Sequence, residues 1–243
     1  MNIIAVVSQK GGTGKSTVSS NIAVAAGRHG LTTLLCDTDP QGSLVDWRKL
    51  RRADAPAVMA AKSAAIHPIR FAAERAGLDL MVIDTQAGSV DCSVEAAKIA
   101  DLALIVVRPS PMDLHAMAAT VAALKPLRRP CAFVLNQAPS HKRGREPSLV
   151  NEAIELLLRY GLPVAPVALR ARALYQHAYA QGQSVLESDP QSSAAGEIGQ
   201  LWAYVSERLR RAAQAPAPAP RPPRLPVALM ARASASLHPT PAG

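Results

Sequence analysis

The 243-residue chain is predicted to be an α/β protein, a twisted and mostly parallel sheet with helices on both faces, on three observations. Short apolar runs, among them Ile3–Val7, Thr33–Cys36, Leu80–Ile83, Leu102–Val107 and Cys131–Leu135, alternate with stretches whose apolar residues fall at helical spacing. A glycine-rich loop, Lys10-Gly11-Gly12-Thr13-Gly14-Lys15-Ser16-Thr17, joins the first run to the first helical stretch. Aromatic residues make up only 3% of the chain, so a core of domain size has to be built from Ala, Val, Leu and Ile.

In chain order, the first strand leads through the loop into a helix over 15–29, which Gly30 stops. A second strand, Thr33–Cys36, delivers Asp37-Thr38-Asp39-Pro40-Gln41-Gly42-Ser43. A helix over 44–52 carries Trp47 and the cluster Arg48, Lys49, Arg51 and Arg52; a surface for DNA and a solvated helical face both fit that run. A short strand near Ala57–Met59 and a helix around 66–76 precede Leu80–Ile83, which ends in Asp84-Thr85-Gln86-Ala87-Gly88. A helix over 93–100, the strand 102–107 and a helix to Leu124 follow, with Pro111 suited to the first helical turn. The strand 131–135 ends at Asn136. Beyond the short basic loop 140–145, the pattern predicts a helix over 148–160, a strand around 164–168 and a long helix over 194–211.

The loop has the chemistry of a phosphate cradle. Glycines at 11, 12 and 14 allow backbone conformations closed to other residues, so successive N–H groups turn inward around an anion. The helix beginning near Lys15 adds unpaired N–H groups and its positive dipole end. Lys15 then reaches the β- and γ-phosphates, and the Ser16 hydroxyl is placed for Mg²⁺. The strict spacing G-x-x-x-x-G-K-[ST] wants glycine at position 9, where this chain has Gln9 and, after it, a second lysine, Lys10. Four apolar residues followed by Asp84 describe a buried strand that carries a carboxylate to the Mg²⁺ water shell. Asp37 and Asp39 leave a second strand nearby; an Asx turn capping the next helix is the alternative reading of that loop.

The string from Lys10 to Thr17 resembles the deviant Walker A box of the ParA/MinD family of P-loop NTPases. The resemblance extends over about residues 1–211 through the Asp37–Gln41 loop, the Pro109-Ser110-Pro111-Met112-Asp113 string and the segment Tyr179–Val185, and is nearest to the small ParA type. It implies ATP and Mg²⁺ as ligands, with Gly11, Gly12, Thr13, Gly14, Lys15, Ser16 and Thr17 around the phosphates and Asn136 on the adenine. Ser16, Asp37 and Asp84 serve the metal. Asp39 positions the attacking water in a switch with Pro40 and Gly88, and Lys10 crosses a homodimer interface to the partner's ATP. Gln86 and Ala87 depart from the prolines that relatives carry there.

The formal charge is +9, which suits an acidic partner, nucleic acid or an anionic membrane surface. The family favours non-specific DNA, with Arg170, Arg172, Arg208, Arg210 and Arg211 as candidate phosphate contacts. It also implies a ParB-like or cargo-adaptor protein that stimulates hydrolysis. The expected function is a ParA-like ATPase that segregates or positions a plasmid, chromosome or protein cargo; the alternative is a MinD-like ATPase on a membrane surface. No run approaches the length of a membrane span and no basic leader precedes the first strand, so a cytoplasmic, nucleoid-associated protein without a stable membrane anchor is expected. Three cysteines, Cys36, Cys92 and Cys131, lack a metal-type spacing and suit a reducing compartment. From Ala212 the composition breaks: eight of the 20 prolines lie in 212–243 and no acidic residue does, which predicts a disordered tail after an ATPase domain over 1–211.

Overall fold

The computed structural model describes residues 1–214; the predicted tail, with its apolar patch at 225–230, lies outside the described residues apart from 212–214. Six parallel strands form one sheet in the order β3-β2-β4-β1-β5-β6. They are β1 (Asn2–Val7), β2 (Thr33–Asp37), β3 (Ala57–Ala60), β4 (Leu80–Asp84), β5 (Leu102–Val107) and β6 (Cys131–Leu135). Side chains alternate across the sheet, so β1 sends Ile4 and Val6 into one core and Ile3, Ala5 and Val7 into the other.

The first core is closed by α1 (Lys15–Arg28), α2 (Ser43–Leu50), α7 (Ala173–Ala180), α8 (Val185–Ser188) and α9 (Ser193–Gln214). The second is closed by α3 (Ile66–Arg75), α4 (Val90–Ile99), α5 (Pro111–Leu124) and α6 (Ser148–Leu158). The sequence accounts for several helix starts. Ser89 and Ser110 accept from the N–H groups of Cys92 and Asp113 as N-caps, and Pro111 occupies the first turn of α5.

Two differences from the expected elements have physical causes. The segment 164–168 runs parallel to β6 but is not a strand: Phe133 and Val164 form an isolated bridge, and Pro163 and Pro166 supply no N–H to a ladder. The helices α7 and α8 were not foreseen, and α9 continues to Gln214, three residues past the expected end. Ser184 and Glu187 form a capping box at the start of α8, a four-residue signature that is visible in the sequence.

The stretch from α7 to α8 is riveted to α1 and α2. Asn21 accepts from Ser184 Oγ at 2.8 Å and Val185 N at 3.0 Å. The Arg51 guanidinium, just past α2, is buried; it donates to Gly182 O at 2.9 Å, forms a two-pronged pair with Glu187 at 2.7 and 2.8 Å, and lies over the Trp47 ring. Gly182 has φ +67°, and a Cβ there would meet Arg51 N at 2.4 Å and Leu50 C at 2.5 Å. Gly182→Ala is therefore expected to destabilise the fold by about 2–4 kcal/mol, from overpacking against backbone plus a strained conformation; urea unfolding of the pair of proteins measures it.

Candidate functional site

The carboxyl ends of β1, β2, β4 and β6 bring the predicted residues to one edge of the sheet. Gly12 and Gly14 take left-handed conformations, φ +73° and +88°, and Gly14 accepts Val18 N at 2.9 Å to begin α1. Thr13 is buried and Lys15 is only 7% exposed, while Gly11 and Gly12 stay open to solvent. Burial holds the Lys15 ammonium below the ordinary lysine range, and the charges of Asp84 and Asp39 oppose that shift.

Asp84 is the centre of the site. Its carboxylate is wholly buried at the end of β4 and accepts from Ser16 Oγ at 2.6 Å and Ser19 Oγ at 3.0 Å. Burial pushes its carboxyl up to about 7, against the pull of the Ser16 hydrogen bond and the Lys15 charge. Ser19 was not singled out in the sequence, although it follows Ser16 by three residues and so shares its helix face. The oxygen donors of Ser16 and Asp84 suit a hard cation that keeps several waters and takes its other ligands from phosphates, which is how Mg²⁺ is held. Among the described residues no group of three or more His, Cys, Asp or Glu forms a protein-only metal cage.

The two aspartates after β2 divide their tasks. Asp37 is buried, and its oxygens accept from the backbone N–H groups of Asp39 at 3.1 Å, Leu44 at 2.8 Å and Val45 at 3.3 Å. These bonds cap the start of α2, as in the alternative reading of that loop. Asp39 remains half-buried, accepting from Gln41 N at 3.0 Å and Ala87 N at 3.4 Å, and so ties the loop after β2 to the loop after β4. Pro40 is exposed in the turn between Asp39 and Gly42, and Gly88, φ +75°, lies against Gln9 O. Lys10 keeps its ammonium 3.9 Å from the buried Asp113, which also pairs with Arg108.

Three more of the predicted residues have partners within the chain. Asn136 is buried and donates to Thr13 O at 2.7 Å, and a Cβ on Gly14 would lie 2.2 Å from its amide, so it braces the phosphate loop. Arg170 is buried and paired with Glu146 through both guanidinium arms at 2.7 Å, with a further bond to Pro139 O. Arg172 pairs with Glu197 at 2.6 Å. Both arginines are thus paired within the chain, and both line a cavity of about 580 Å³ together with Gly14, Thr17, Tyr175 and Tyr179. Of the other candidates, Arg208 lies over the Tyr204 ring, while Arg210 and Arg211 are exposed and share Glu207. All three cysteines are buried and free, with Cys92 Sγ 3.2 Å from Thr38 Oγ1.

A glycine-lined anion cradle, a buried lysine and a buried carboxylate at the carboxyl edge of a parallel sheet define a nucleotide-binding protein. Residues 4–185 match the CobQ/CobB/MinD/ParA nucleotide binding domain. The chain is 33% identical over 210 residues to the maintenance of carboxysome distribution protein A of Halothiobacillus neapolitanus, covering 82% of this chain and 93% of that one. Among solved structures, apo McdA of Cyanothece superposes with a TM-score of 0.70 at 15% identity, over 86% of this chain and 99% of that one. MinD of Pyrococcus horikoshii complexed with Mg-ADP superposes with a TM-score of 0.68 at 19% identity, over 88% and 99%. The chain belongs to the CobQ/CobB/MinD/ParA family and within it is a ParA/MinD-type ATPase.

The raised Asp84 carboxyl makes a stability prediction for the nucleotide-free protein. Between the unfolded value of 3.8 and the folded value of about 7 the native state holds the extra proton, so stability falls as pH rises through that window. Thermal unfolding of the apo protein from pH 4 to 7 should show that component of the slope, and Asp84→Asn should flatten it and raise the melting temperature near pH 7.

Proposed function

We propose that this chain is a positioning ATPase that dimerises on ATP, holds non-specific DNA in the dimeric state and lets go when partner-stimulated hydrolysis opens the dimer. The observation that carries the reading is the 2.6 Å bond from Ser16 to the buried Asp84, which sets the hydroxyl of a phosphate loop on the carboxylate that a nucleotide-bound cation needs nearby. The N–H groups of residues 11–17 would cradle the phosphates, and Lys15 would lie along the β- and γ-phosphates. Mg²⁺, once held by Ser16 and the Asp84 shell, would supply charge neutralisation between phosphate oxygens. Asp39 would orient water from the turn that α2 anchors. Lys10, half-exposed beside Asp113, would reach the ATP of the second subunit.

Hydrolysis by this set is expected to be slow unaided, because Lys10 and Asp39 provide only part of the charge compensation the transition state requires, and an adaptor protein would complete it. The catalytic domain is taken as 1–211. DNA would be held through phosphate contacts from the exposed Arg210 and Arg211 and the half-buried Arg208, placing the active form on the nucleoid. The likeness along most of its length to a protein named for carboxysome distribution favours a large protein assembly as cargo.

Binding to a non-specific duplex, without nucleotide, with ADP and with a slowly hydrolysed ATP analogue, each across a salt titration, tests this. The expected result is binding with the analogue alone, weakened steeply by salt. Lys10→Ala should abolish analogue-induced dimerisation, and Asp39→Ala should accumulate DNA-bound dimer while turnover falls by about tenfold or more. Equal duplex binding in all three states would reject the nucleotide-gated switch.

A further inference from the structure

We infer that Tyr179 is the positioning residue through which an occupied nucleoside cavity sets the placement of Asp39. The inference rests on the nucleotide reading above and adds to it a path within one subunit from the base to the hydrolytic loop.

Tyr179 belongs to two places at once. Its residue lines the 580 Å³ cavity beside Gly14 and Thr17, on the same helix as Tyr175 and Gln176. Its hydroxyl leaves that wall and donates to Ser43 O at 2.7 Å, in the first turn of α2. Ser43 follows the turn Asp39-Pro40-Gln41-Gly42, which is closed by Gly42 N donating to Asp39 O at 2.9 Å. On the other side of that turn the Asp37 carboxylate holds the N–H groups of Leu44 and Val45. The start of α2 is thus gripped from both ends of the turn that carries Asp39.

The rest of α2 makes the grip a rigid one. The Trp47 ring lies 6.5 Å from that of Tyr179, Trp47 Nε1 donates to Gln183 O at 3.3 Å, and Arg51 is tied to Gly182 and Glu187. The cavity wall and the helix behind Asp39 are therefore tied together, and Tyr179 bonds directly from one to the other. A ligand that fills the cavity immobilises α7, and α2 is immobilised with it. A ligand that fills only the phosphate loop leaves this route unused. The chemistry that engages it is a nucleoside polyphosphate, base included, and a bare polyphosphate does not.

Hydrogen exchange of the amides in 39–47, in the protein alone, with ADP and with inorganic tripolyphosphate, tests the inference, with calorimetry run alongside to register binding. In the unmodified protein ADP should slow exchange there by about fivefold, roughly the effect of one retained hydrogen bond, while tripolyphosphate slows residues 10–17 and leaves 39–47 within about twofold. In Tyr179→Phe, ADP should still bind and slow residues 10–17, but the response at 39–47 should fall to within about twofold. Its kcat for ATP should fall by about fivefold with KM within about twofold, a split that loss of packing alone would not give. Equal protection of 39–47 by ADP and by a bound tripolyphosphate, or full protection in Tyr179→Phe, overturns the coupling. ADP binding with 39–47 unresponsive overturns the coupling alone, whereas no binding of ADP to the unmodified protein overturns the nucleotide reading itself. The comparison of ligands in the unmodified protein stands even where the variant fails to fold.

Discussion

Everything at the carboxyl edge of the sheet follows from one constraint, the removal of the Asp84 carboxylate from water. A buried carboxylate needs donors or a counter-charge, and here it has two serine hydroxyls from a single helix face and the Lys15 charge nearby. Those donors come from α1, so α1 must start where the phosphate loop ends, and the loop must turn at glycines with positive φ to let it. The backbone of the loop is braced in turn by Asn136 at the end of β6. Cradle, cation ligands and sheet are in this sense a single polar arrangement closed around one charge, with an apolar core on each side of it.

The parts of this arrangement legible in the sequence are those that depend on local chemistry. A run such as Leu80–Ile83 ending in Asp84 identifies a strand and its carboxylate together, because burial on both faces removes the usual alternation and leaves the charged residue to mark the end. The glycines of the phosphate loop are legible for the same reason: their spacing is a backbone requirement. The fold class, the strand sequence and most helix positions were accessible on such grounds.

What was not legible depends on partners distant in the chain. Asp37 and Asp39 are two residues apart and chemically alike, yet one caps α2 and the other faces the loop after β4, a difference set by which of them the strand end buries. Arg170 reads as a surface cation until Glu146 is placed beside it, 24 positions away. Asn136 stands at the expected strand end, but its amide is taken by Thr13, which the sequence separates from it by 123 positions. The net charge of +9 has the same weakness as a guide to surfaces, since Arg51, Arg170 and Arg172 spend theirs internally.

The proline-bearing segment outside β6 has a consequence for how the molecule can associate. An open sheet edge invites another chain to add a strand, and outside β6 that invitation is withdrawn by a stretch that bonds to β6 through Pro163 O, Ala165 N and Leu169 N but has prolines where a continuing ladder would need donors. Lengthening of the sheet by another copy of this chain is therefore disfavoured on that side. A homodimer of the kind proposed above would then form through faces other than this edge.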